Sequence, residues 1–181
     1  FISKKKYKKL NYSDLGLKKI GFIKSLLAIF SAYFVYIGVS LIISIFIFYY
    51  NIQIPGYEMQ EDILGLFGNT SLDLVIAGIA IVIIAPIFEE IFFRGFILRS
   101  LSNNLGIFKG SIISALLFSL LHYPWQSFIP IFILGLIINS IVIRYKSIWP
   151  AIGFHMFNNG LVYTVQILIL KEYISIDKLI N

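Results

Sequence analysis

The sequence predicts an all-α protein, a polytopic bundle of about five helices that cross a lipid bilayer, and three observations predict it. Of its 181 residues, 59% are hydrophobic and 13% charged, at a mean hydropathy of +0.88, which leaves too little polar surface to coat a water-soluble domain. Four apolar runs, Leu26 to Tyr50, Leu72 to Phe88, Phe128 to Ile143 and Ile148 to Leu170, are long enough, or nearly so, to cross ~30 Å of hydrocarbon at ~1.5 Å per residue. The charges fall at the ends of these runs rather than along them.

The elements follow in order. Residues 1–24 form a basic juxtamembrane segment, with helix-capping chemistry in Asn11-Tyr12-Ser13-Asp14. Residues 25–71 hold the first span and an outer loop broken at Pro55 and Gly56. Residues 72–170 form the main helix bundle. Its first helix starts at Ser71, a suitable N-cap, and continues past its apolar run through Glu89, Glu90 and Arg94 to about Leu101. Pro86 is expected to kink it one turn before the carboxylates and to free a backbone carbonyl inside the bundle. Ser102, Asn103, Asn104 and Gly106 then make a turn. Ser111 to Leu121 is short. It becomes a crossing only if extended through the interfacial Tyr123, Pro124 and Trp125, or if tilted or buried in protein. Trp149-Pro150 starts the last span, and residues 171–181 are a tail.

Charge sets the topology and the partners. Eight lysines, Lys4, Lys5, Lys6, Lys8, Lys9, Lys18, Lys19 and Lys24, precede the first span, and Arg94, Arg99, Lys109, Arg144 and Lys146 fall at alternate ends of later ones. The loop from Asn51 to Ser71 carries Glu58, Glu61 and Asp62 and no basic residue. By the positive-inside rule the N-terminus is cytoplasmic. The net charge of +6 is thus a topology signal that also favours anionic lipid heads, and no nucleic-acid partner is expected. With no cysteine, the chain has no disulfide, thiol nucleophile or thiolate zinc site. It begins with Phe and shows no cleavable signal, so a trimmed N-terminus with further helices before it is expected.

In so apolar a chain the polar exceptions carry the information, because an ionisable group at mid-membrane costs about 2.5–3.5 kcal/mol on insertion scales. The exceptions are Glu89, Glu90 and Arg94 in one run, His122 at the end of Phe118-Ser119-Leu120-Leu121-His122, and His155 with Asn159. These are the chain's only two histidines, and the seven other carboxylates sit near span ends or in loops. Glu89 lies 12 positions before Leu101 and His122 12 positions after Gly110, so both stand ~18 Å from one hairpin turn. His155 and Asn159 enter from the same side to ~10 and ~16 Å, within one layer. Glu90 and Arg94, four apart, share a helix face and suit an ion pair, while Glu89 points about 100° away and stays free. His155 and Asn159 can likewise reach one point beside their helix. Taken singly, each has a bland explanation: a structural clamp, a core histidine, an asparagine holding helices together. Their coincidence at one depth is what favours a site. Ser40, after Gly38, would be a serine nucleophile without an evident base, there is no His-Glu-x-x-His helix or aspartate pair, and the paired broken helices of a transporter are missing.

Glu-Glu-x-x-x-Arg (Glu89, Glu90, Arg94), Phe-x-x-x-His (Phe118, His122) and His-x-x-x-Asn (His155, Asn159), in this order on successive helices, resemble the signature of the CPBP family. That family comprises the type II CAAX prenyl proteases and the bacteriocin-processing or bacteriocin-immunity (Abi) proteins. The resemblance covers roughly Leu72 to Leu170, and no functional position of the pattern is substituted. Asp14-Leu15-Gly16-Leu17 also resembles the family's N-terminal flank, and relatives often carry additional helices. The resemblance implies hydrolysis of a peptide bond in a membrane-associated peptide or protein. Glu89 and His122 are then expected to activate a water, His155 and Asn159 to hold the oxyanion, and Glu90, Arg94 and Phe118 to support them. No cofactor is required on this reading; a zinc site of Glu89, His122 and His155 is the second choice. A non-catalytic scaffold or bacteriocin self-immunity protein of the same fold is the rival class. The Ile-, Lys- and Asn-rich usage points to a bacterial plasma membrane, and the oligomeric state is not legible.

Overall fold

The computed structural model describes residues 16–53, 68, 70–122 and 127–170. The Asn11-to-Asp14 cap, the Pro55-Gly56 break with its acidic loop, the Tyr123-Pro124-Trp125 belt and the tail from 171 lie outside the described residues. The described residues form five helical rods: α1 (Phe22–Tyr49), α2 (Ser71–Leu105), α3 (Ile107–Leu120), α4 (Phe128–Tyr145) and α5 (Trp149–Leu170). α2, α3, α4 and α5 pack in a closed ring, each against the next and α5 back onto α2, and α1 lies outside across α4 and α5. The apolar core runs through Leu98, Leu134, Ile138, Ile141, Ile148, Ile152 and Phe154.

The outward face is oily. Phe34 is 75% exposed, Phe88 69% and Phe108 77%, a surface that only hydrocarbon can cover without cost. By length and apolarity α1, α2 and α4 qualify as membrane spans, and α3 is a shorter apolar helix. The molecule is an all-α integral membrane bundle. α5, at 22 residues, has the length of a span but interrupts its apolar sequence with His155, Asn158, Asn159, Tyr163 and Gln166. α3, at 14 residues, rises only ~21 Å and lies buried between neighbours on one side.

Local chemistry sets the ends. Thr70, not Ser71, caps α2: its hydroxyl accepts from the Asp73 N–H while the Asp73 carboxylate accepts from the Thr70 N–H, the reciprocal arrangement a threonine three residues before an aspartate permits. The turn expected over Ser102 to Gly106 is tighter. Helix continues to Leu105, and Gly106 alone, at φ +84°, reverses the chain because it has no Cβ to oppose that angle. At the other hairpin Lys146 takes the left-handed conformation and its N–H reaches back to Val142 O. Pro150 sits in the first turn of α5, where no N–H is needed. The segment before α1 is tied to this hairpin by Ile148 N–H to Gly16 O and Ser147 Oγ to Lys18 O.

α2 is not a uniform α-helix. Two π-helical stretches, Ile79–Ile84 and Ile91–Ile97, flank the α-helical turn Ala85–Glu90. The first contains the consequence expected of Pro86. Ala85 N–H bonds Ala80 O, a spacing of five, so continuing that register would require an N–H from residue 86 for Ile81 O. Proline has none, and the orphaned Ile81 carbonyl is the one freed inside the bundle.

Candidate active site

The three polar motifs meet in the ring. Glu90 and Arg94, one turn apart on α2, are both fully buried, with Arg94 Nη1 donating to Glu90 Oε1 at 3.0 Å. The rest of the guanidinium is also committed: Nε donates to Asn139 Oδ1 (3.1 Å) and Nη2 to Gly135 O (3.2 Å), both on α4. Asn139 in turn donates through Nδ2 to Ser111 O on α3, at 2.9 Å. The Phe118 ring lies beneath the Arg94 guanidinium at 4.3 Å, an apolar floor that attracts a cation electrostatically. A charge pair this deep survives only when nearly every donor has an acceptor, and here α2, α3 and α4 are stitched together by that requirement. Gly135 makes the approach feasible, since a Cβ there would meet Ala115 at 3.2 Å.

From this clamp the network turns toward a cavity. Glu90 Oε1 also accepts from His155 Nδ1 on α5, at 2.9 Å, which assigns the proton of that imidazole to Nδ1 and leaves Nε2 facing the cavity. His122 is fixed in the same way, because its Nδ1 lies 2.6 Å from Phe118 O, an acceptor only. Both Nε2 atoms converge on Glu89 Oε2, His122 at 3.5 Å and His155 at 3.7 Å. Those separations are longer than a well-formed hydrogen bond and within ion-pair reach, so both imidazoles bear on the same carboxylate oxygen. Glu89 Oε2 is buried and has no hydrogen-bond partner. It is a carboxylate oxygen set between two imidazoles, one just past the end of α3 and one on α5.

The cavity has a volume of about 400 Å³, and Glu89, His122, His155 and Asn159 all line it, walled on the apolar side by Phe118, Ile131 and Leu134. The four residues expected to share one pocket therefore share it. Depths match despite shifted helix ends, because α2 runs four residues beyond the expected Leu101 and α3 starts at Ile107, three before Gly110, which leaves Glu89 and His122 within one residue of equal distance from the turn. Asn159, expected to help hold the oxyanion, also has a structural bond. One hydrogen of its Nδ2 goes to Ile81 O at 3.1 Å, so it closes the backbone gap left by Pro86 and locks the π-helical stretch against α5. Ser40, on α1, is not among the cavity's lining residues. Among the described residues no group of three or more His, Asp or Glu has the disposition of a metal site.

Comparison with known proteins bears on this arrangement directly. A family model described as Type II CAAX prenyl endopeptidase Rce1-like matches residues 71–161, half of the chain. The chain belongs to this family. The Rce1-like match begins at the first residue of α2 and includes every residue of the Glu89–His122–His155–Asn159 cluster. One curated relative, "Putative membrane peptidase YdiL" of Bacillus subtilis (strain 168), is 25% identical over 118 residues, 65% of this chain and 47% of that protein. The chain thus spans about half the length of the relative it matches. No solved structure matches.

Sequence reasoning missed two parts of this Rce1-like site. Asn139 gave no signal, as a single asparagine in an apolar helix reads as helix-to-helix glue; only its zero exposure and its bond to Arg94 mark it. Asn158 was passed over in favour of its neighbour, although it is 9% exposed and lines the same cavity.

Proposed function

We propose that the protein is an intramembrane endopeptidase that cleaves a peptide bond of a membrane-associated peptide or protein by direct attack of water. The observation that carries this reading is the buried, unpartnered Glu89 Oε2 faced by two imidazole Nε2 atoms at 3.5 and 3.7 Å. A water held there would give its proton to the Glu89 carboxylate, with His122 Nε2 orienting it, while its oxygen attacks the scissile carbonyl carbon. The oxyanion that develops would take hydrogen bonds from the second Nδ2 hydrogen of Asn159 and from His155 entering the cycle as the imidazolium, with Nδ1–H on Glu90 and Nε2–H toward the cavity, a proton it keeps throughout. Collapse breaks the C–N bond as the proton on Glu89 passes to the leaving nitrogen, restoring the carboxylate. Glu90 and Arg94 support these groups from behind the cavity wall, and Phe118 supports them from the wall itself.

Glu89→Gln keeps the shape and removes the base, so the variant should insert into membranes normally and cleave nothing. Comparative peptidomics of cells carrying wild type or Glu89→Gln should reveal products present only with the former; identical peptide profiles would overturn the hydrolase reading. Complementation by Glu89→Ala would instead support a scaffold or self-immunity protein. No cofactor enters these steps. Were Glu89, His122 and His155 to hold a divalent ion, it would polarise the water in place of the carboxylate, and exhaustive chelation would then stop cleavage that it should otherwise leave intact. The lysine distribution supports a cytoplasmic N-terminus, and the Ile-, Lys- and Asn-rich usage supports a bacterial plasma membrane. A peptide substrate and the lipid bilayer are its partners.

A further inference from the structure

The cavity does not end at the catalytic cluster. It continues along α5 toward the C-terminal end of that helix, past Asn158, Tyr163 and Gln166. Two of the polar side chains on this wall are already employed as braces: Asn159 on Ile81 O, and Tyr163, whose hydroxyl donates to Leu74 O. Asn158 and Gln166 are not. Neither amide has a hydrogen-bond partner among the described residues, and Asn158 is 91% buried by its 9% exposure. Both side chains line the cavity, so their amide donors and acceptors are open to a ligand held there.

We propose that Asn158 and Gln166 form a main-chain docking rail that binds one flank of the substrate in extended conformation, beside the scissile bond held at His155. An amide offers a donor and an acceptor side by side, the complement of a peptide N–H and C=O, so it recognises backbone rather than any side chain. Spacing agrees. The two residues are eight apart on α5, ~12 Å along the helix, which an extended chain covers in three to four residues at ~3.3 Å each. Gln166 also lies 11 positions beyond His155, almost three whole turns, and so on the same helix face as that residue. The ligand class is therefore an extended polypeptide on the Ser71 side of the cluster, accepted with little regard for its side chains at these two points.

This inference rests on the proposed peptidase activity, and the experiment separates the two. Purified wild type, Glu89→Gln, Asn158→Leu and Gln166→Leu are incubated in detergent with a proteome-derived peptide library. One peptide cleaved by wild type is then resynthesised with single N-methyl groups placed along its backbone, each deleting one N–H. Wild type should lose about tenfold or more in kcat/KM, through KM, at two N-methyl positions three to four residues apart on one side of the cut. Asn158→Leu should be weakened to a similar degree and be indifferent to the nearer methyl group, Gln166→Leu to the farther one. If both variants keep the wild-type sensitivity profile, the rail is refuted while the peptidase stands. If wild type cleaves no more than Glu89→Gln, the peptidase itself falls and the rail with it. Should Asn158→Leu fail to fold, Gln166→Leu, at a half-buried position, decides alone.

Discussion

Glu89 and Glu90 are neighbours in sequence and occupy opposite worlds. Glu90 is fully buried and its Oε1 is shared by Arg94 and His155, within a clamp that ties α2 to α4 and, through Asn139, to α3. The Glu89 side chain is 30% exposed and lines the cavity, with its Oε2 facing His122 and His155; each carboxylate has an Oε2 without a hydrogen-bond partner, but only that of Glu89 lies among the cavity's histidines. About 100° of helix rotation separates a carboxylate that holds the bundle from one that is available for chemistry. The clamp is what makes the availability sustainable. Arg94 takes up the charge of Glu90, Glu90 fixes the tautomer of His155, and Phe118 serves at once as the floor of Arg94 and the acceptor that fixes His122.

Substitutions can break this contrast, and the largest effect should fall on the cavity side. Glu89→Gln should reduce peptide cleavage by about 10³-fold or more, while its thermal midpoint in detergent stays within a few degrees of wild type. A large loss of stability there would mean that Glu89 too is structural. On the clamp side the order reverses. Arg94→Met leaves a buried Glu90 without its guanidinium and with only the His155 hydrogen bond, and should cost about 3–5 kcal/mol, read as a steep drop in midpoint in chemical unfolding. Replacing both, Glu90→Met with Arg94→Met, should recover a good part of that loss, because no lone charge remains; a double variant as unstable as the sum of its singles would contradict the pairing.

Smaller effects sharpen the picture. Asn139→Leu deprives Arg94 Nε of its acceptor and should cost about 1–3 kcal/mol, with cleavage weakened through a displaced Glu90 and His155 rather than abolished. Asn139→Asp, which retains an acceptor, should restore more activity than Leu does. Gly135→Ala, the mildest, presses a methyl toward Ala115 and should cost on the order of 1 kcal/mol, measured as a shifted midpoint with little change in rate.

Much of this site is legible in the residues alone. Four-residue spacing pairs Glu90 with Arg94, the 100° step frees Glu89, and equal distances from the α2–α3 turn bring Glu89 and His122 to one depth. That last inference holds although both helices reach further into the turn than expected, since the shifts from Leu101 to Leu105 and from Gly110 to Ile107 are four and three residues and nearly cancel. What spacing does not reveal is how each donor is used. Asn159 and Asn158 are equally polar and adjacent, yet the π-helical register before Pro86 gives one a carbonyl to satisfy and leaves the other unengaged. Asn139 is invisible for the same reason, as its importance lies in what α2 and α3 present to it.

By itself the sequence determined the oily helical class, the order of the helices, the three motifs and which members share a face. These depend on composition and on the 3.6-residue period, quantities that a single helix already possesses. Only the tertiary structure decided that Arg94 reaches Asn139 and Gly135, that both histidines present Nε2 to one oxygen, and that Asn159 bonds Ile81. Those outcomes require backbone from separate helices to arrive within about 3 Å, and hydrogen bonds are too short-ranged and directional for any one helix to anticipate them.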